Sequence, residues 1–167
     1  WDDLLHSYGW TSVNVMYYVT ERAGEWLSSR AYLASYGKTL VARLRARNVI
    51  VTEIPVEYTE AQCVTDDAVE GALDELELSN SRILFNFLGG PDACAASKLM
   101  TRYEARGLTG QYQLLYAFAF YDEMGLDDLL PHAEALNRSL SIKNAWSWLD
   151  QPATSKLNTF INERLVP

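Results

Sequence analysis

Few residues in this chain could do chemistry, and their spacing decides which kind. Asp122 and Glu123 are carboxylates, the groups of general acid–base catalysis, but as neighbours in a loop they are expected to diverge. Gly89-Gly90-Pro91-Asp92 places two glycines ahead of a helix, where free N–H groups could hold an anion. A sharp strand-to-helix turn is the simpler use of such glycines. Cys63, Cys94, His6 and His132 are scattered, whereas a metal site needs at least three converging ligands. The expected reading is two thiols and two surface histidines. The junctions that follow strands contain no GxGxxG, no GxxxxGK[ST] and no GxSxG. A flavodoxin-like phosphoacceptor domain needs acidic groups ending its first strand and an aspartate ending its third. This chain has Tyr17-Tyr18 and Leu88-Gly89 at those places. The expectation is a chain without catalysis and without a cofactor.

The elements that must hold these residues alternate. Leu4, Leu5 and Tyr8 have helical spacing, closed by Gly9, and the β-branched, aromatic run "SVNVMYYV" (12–19) follows. Over 24–47 Trp26, Leu33, Leu40 and Leu44 share a helical face, and Gly37 is expected to break this stretch into two helices. "VIVTEIPVEY" (49–58) predicts a strand, at a sheet edge because of Pro55. A helix over 66–78, a strand over 82–90, a helix through Ala93, Ala96, Met100 and Tyr103, and the apolar strand "YQLLYAFAFY" (112–121) complete the regular part. "NAWSWL" (144–149) is the next strand candidate, before a final helix through Leu157, Phe160, Ile161 and Leu165. Alternation of this kind predicts an α/β three-layer sandwich with a mostly parallel, doubly wound sheet in the order 2-1-3-4-5. Ligands of such sheets bind at the carboxyl ends of the strands. The candidate ligand-facing residues are therefore Tyr18, Thr20, Glu21, Gly89, Asp92, Phe120, Tyr121 and Asp122. Core packing is the competing use of Phe118 and Phe120, while Tyr18 and Tyr121 suit a wet rim, where a phenol can both pack and hydrogen-bond.

At 167 residues the chain is one domain by length, and its 49% hydrophobic and 22% charged residues fit a globular protein. A net charge of −8 excludes a nucleic-acid partner, which needs clustered cations. The basic run Arg43, Arg45, Arg47 is a solvated helix end. No stretch reaches the roughly 20 apolar residues of a membrane helix. A chain that opens on Trp1 inside a helix is expected to be a fragment of a longer one.

In their order, "LLHSYGWTSVNVMYY" and "SRILFNFLGGPDACAASKLMTRYEARGLTGQYQLLYAFAFY" resemble the extracellular ligand-binding region of natriuretic-peptide-type receptors and receptor guanylate cyclases. Gly9-Trp10, Arg82, Pro91-Asp92, Met100, Gly107-Leu108-Thr109-Gly110 and Tyr112 carry the likeness, over about residues 1–125. The sequence departs from that family at Phe118, where the family has an acidic residue. The resemblance implies a type I periplasmic-binding-protein fold and the second lobe of a two-lobe region. It implies the extracellular part of a cell-surface membrane protein, with a peptide or small-molecule ligand, the first lobe of the parent chain and a homodimer mate as partners. A soluble solute-binding or regulatory protein of the same fold is the alternative, and a small flavodoxin-like enzyme stands behind both. In an extracellular setting the sequon at Asn137 becomes a glycosylation site. Cys63 and Cys94 then become a candidate disulfide. They follow strands two and three, which flank strand one nearly 10 Å apart, so the loops must close that distance.

Overall fold

The run Ser12–Val19 is buried on both sides almost end to end, as expected of a central strand with helices over each face. The computed structural model describes residues 2–19, 29–58, 64–88, 93–116, 130–136 and 140–141. In chain order these form α1 (Asp2–Ser7), β1 (Ser12–Val19), α2 (Ser29–Ala46), β2 (Ile50–Glu57) and α3 (Asp66–Leu78). Then come β3 (Ile83–Asn86), α4 (Ala93–Ala105), β4 (Gln113–Tyr116), a 3-10 turn (Leu130–His132), α5 (Ala133–Leu136) and β5 (Leu140–Ser141). The five strands form one sheet in the order β2-β1-β3-β4-β5, and every strand pair is parallel. The expected fold class and strand order hold.

Alternation along β1 divides the core. Val13, Val15 and Tyr17 pack with Leu5, Leu40, Val41 and Leu44, the face of α1 and α2. Met16 and Tyr18 pack with Val69, Leu73, Leu76, Leu99 and Met100, the face of α3 and α4. That pleat period puts helices on both sides and makes the three layers.

Gly37 does not break the helix; α2 runs through it without interruption. A Cβ at Gly37 would lie 2.5 Å from Tyr17 Cβ, so this glycine is the point of closest approach between α2 and β1. Gly9, at φ +63°, stops α1 as the sequence predicts, and Gly107, at φ +68°, stops α4 in the same way. β2 is the sheet edge, which explains Pro55. Ile50 and Tyr58 donate their N–H groups to the Thr11 and Val19 carbonyls of the β1 side, at 2.9 and 3.3 Å. Even-numbered residues of β2 therefore face β1, and Val51, Glu53, Pro55 and Glu57 turn their backbone groups outward, where a missing N–H breaks no ladder bond.

Ion pairs lock α3 to α4. Arg106 bonds Glu70, Asp74 and Glu77, while Arg102 and Lys98 reach Asp66. The carboxylates around it, Asp74 and Glu70 foremost, raise the Arg106 pKa further above its already high value. His132 is 7% exposed, so the surface position expected of it does not hold. Its Nδ1 meets Glu104 Oε2 at 2.7 Å and fastens the 3-10 turn to α4. β5 lies at Leu140–Ser141, and the strand candidate 144–149 and the terminal helix fall outside the described residues.

Candidate functional site

The carboxyl ends of β1, β2, β3 and β4 lie along one rim of the sheet, since all four run parallel in register. Three side chains build the centre of that rim. Tyr18, one residue from the end of β1, is fully buried and meets the Tyr58 ring edge-on, with centroids 6.0 Å apart at 83°. The wet-rim position expected for Tyr18 is thus corrected. Its place on the inward pleat, between Met16 and the α3–α4 layer, makes it a core residue. Asn86, which ends β3, is 2% exposed. Its Oδ1 accepts the Leu88 N–H at 2.9 Å and turns the chain away from the strand direction. Beside it in register stands Tyr116, whose hydroxyl points at Met100 Sδ, 3.5 Å away. Burial drives the Tyr116 pKa well above that of a free phenol, opposed by the Asn86 side chain.

Tyr58, next after the end of β2, bridges to Val64 in antiparallel fashion. Thr65 caps α3 by accepting the Ala68 N–H at 3.2 Å. Lys98 of α4 donates to the Val64 carbonyl at 3.1 Å and pairs with Asp66 at 3.4 Å, which lowers the Asp66 pKa. The starts of α3 and α4 are therefore fastened together beside the rim. Cys94, one helical turn before Lys98, is disulfide-bonded. The sequence has one other cysteine, Cys63, which lies outside the described residues.

Thr20, Glu21, Gly89, Asp92, Phe120, Tyr121, Asp122 and Asn137 also lie outside the described residues, as does Phe118. The described strand ends lead directly into two of them: Val19 into Thr20, Leu88 into Gly89. Sequence reasoning passed over Asn86, although a lone amide inside the apolar run "ILFNFL" was a visible signal. Tyr58 and Lys98 had no comparable signal, since their roles depend on contacts with Tyr18 and Val64.

One constellation imitates a nucleophile, base and acid. Thr101 Oγ1 is 3.5 Å from His132 Nε2, and Glu104 holds the other ring nitrogen. Thr101 instead donates to the Ser97 carbonyl at 2.9 Å, one turn back in its own helix, so its proton is committed there. The contact is a fastening between helix and turn. Among the described residues no group of three or more His, Cys, Asp or Glu side chains converges as metal ligands would.

A crystal structure of a substrate-binding periplasmic protein from Ralstonia solanacearum superposes on this chain with a TM-score of 0.55 at 22% identity, covering 96% of the chain. The fold is periplasmic-binding-protein-like. The chain spans 40% of that protein's length. This likeness concerns the fold and carries no sign of natriuretic-peptide receptors in particular. No family model matches the chain, and no curated protein matches it by sequence. Among the described residues no helix is long and apolar enough to cross a membrane.

Proposed function

We propose that this chain is a non-catalytic ligand-sensing lobe whose recognition surface is the rim formed by the carboxyl ends of β1 to β4. The observation that carries this reading is the coincidence of fold and rim. A parallel sheet in the order β2-β1-β3-β4-β5 ends in the buried, packed side chains of Tyr18, Asn86 and Tyr116. A rigid rim of that kind orients loops for binding and offers no activated nucleophile. The span of 40% of the neighbour's length supports a single lobe of a two-lobe region, with a small molecule or peptide held between this lobe and the first.

The finer reading rests on motif order. Gly9-Trp10, Pro91-Asp92 and Gly107-Leu108-Thr109-Gly110 favour the extracellular region of a receptor of the guanylate-cyclase type, with a homodimer mate and a glycan on Asn137. A disulfide between Cys94 and Cys63 suits that oxidising setting. A second reading is a soluble solute-binding or regulatory protein of the same fold; the Ralstonia neighbour supports a ligand-binding role common to both readings. Flanking sequence separates the two: one membrane span followed by kinase-like and cyclase domains supports the receptor.

The test is a titration of the isotope-labelled chain with pools of amino acids, sugars and short peptides, followed by amide NMR. Shifts are expected at Val19, Tyr58, Leu88 and Tyr116, the described residues at the rim. Chemical turnover of a pooled compound, or shifts confined to the opposite end of the strands, defeats the proposal.

A further inference from the structure

The acidic residues of α3 divide into two sets. Asp66, Glu70, Asp74 and Glu77 are neutralised by Lys98 and Arg102 of α4 and by Arg106 just past its end. Asp67 and Glu75 lie on the other side of the helix, with Gly71 midway between them at successive one-turn steps. They overlook a groove of about 430 Å³ whose opposite wall is formed by Pro55 and Glu57 of β2. Among the described residues Glu57, Asp67 and Glu75 are exposed, and their side chains make no hydrogen bond or ion pair.

The backbone of the groove matches this charge. Pro55 and Glu57 turn their backbone groups outward, as the β1–β2 ladder requires, and Pro55 presents a carbonyl with no N–H. Between the carboxylates the α3 wall is low: Ala68, Gly71 and Ala72, with nothing within 4 Å of a Cβ built on Gly71. The groove therefore offers mostly acceptors, along an edge strand that has no strand beyond it among the described residues. A second copy of this chain does not fit, because it would bring the same carboxylates and a net charge of −8 against themselves.

We propose that the β2–α3 groove docks an extended, Arg- or Lys-bearing segment of a partner protein. The segment lies along β2, its backbone donors on the Pro55 and Glu57 carbonyls and its cations on Glu57, Asp67 and Glu75. The groove runs down the outer edge of the sheet from Glu57, which ends β2 beside the rim, and the Arg peptide tests it apart from the small-molecule pools that test the rim.

The experiment uses a short fluorescein-labelled peptide alternating Arg with Val, read by anisotropy, against the same peptide with Glu for Arg. The Arg peptide is expected to bind and the Glu peptide not. Affinity is expected to fall about tenfold in a chain carrying E57Q, D67N and E75Q, and to stay within about twofold in D74N, which alters the α4 side. Hydrogen exchange at the Glu57 amide is expected to slow when the peptide binds. Absence of binding, equal binding by the triple variant, or no change at the Glu57 amide overturns the proposal. So does displacement of the peptide by an equal concentration of spermidine, which would assign the groove to small polyamines.

Discussion

The contact between α2 and β1 at Gly37 lends itself to a decisive substitution. Gly37→Ala in an ordinary helix interior would stabilise the protein by about 1 kcal/mol through helix propensity. Here the new methyl would stand 2.5 Å from Tyr17 Cβ and 2.7 Å from its Cγ, atoms fixed to the strand backbone. Tyr17 is held at its other end as well, because its hydroxyl donates to Glu53 Oε2 at 2.6 Å. Relief requires α2 to lift from the sheet, an overpacking cost of about 3 kcal/mol. The net loss is about 2 kcal/mol, a fall in Tm of about 4–8 °C for a chain of this size. Gly71→Ala supplies the matched control, since a Cβ at Gly71 meets nothing within 4 Å and the same propensity gain is unopposed. It is expected to raise Tm by about 2–4 °C. Thermal denaturation followed by circular dichroism reads both. Should Gly37→Ala stabilise the chain as Gly71→Ala does, α2 does not press on β1 at this point and the layer assignment is wrong.

The tyrosines make the fold sensitive to alkali. Burial, then the Glu53 carboxylate, pushes Tyr17 up to about 12 from 10.0, and burial also raises Tyr103 and Tyr116. A phenol that ionises later in the folded state stabilises it fully below pH 10, and that contribution is lost as pH rises through 12. Stability against urea is expected to decline over this interval, and Tyr17→Phe, which removes the bond to Glu53, is expected to cost about 1.5 kcal/mol at neutral pH while shrinking the decline. An unchanged alkaline decline in Tyr17→Phe would remove Tyr17 as its source. For the cysteines, thiol titration of the denatured, unreduced chain is expected to find no reactive thiol, and two after reduction. Replacing both by serine is expected to cost about 3–4 kcal/mol, as a single covalent loop closure predicts, and two thiols before reduction would exclude the bond between Cys63 and Cys94.

The strand order, the parallel sheet and the helix stops were legible because each follows from local rules. The pleat puts Val13 and Val15 on one side and Met16 on the other, and left-handed backbone at Gly9 and Gly107 ends a helix wherever it occurs. Pro55 announced an edge for the same reason: it lacks a donor, and only an outward-facing position excuses that. Local rules could not say what a residue faces. Gly37 carries identical propensity whether it breaks a helix or admits Tyr17, and only the seating of α2 on β1 chose between them. Tyr18 suits rim and core equally by chemistry, and the packing of α3 and α4 over β1 assigned it to the core. His132 had no partner within its own segment; Glu104, far away in sequence, became one when the 3-10 turn folded onto α4. The sequence by itself determined which elements form and in what order they cross, because those depend on neighbours along the chain. Which side chains are buried, paired or left as unneutralised charge was decided by the tertiary structure, since burial and pairing depend on residues that only folding brings together.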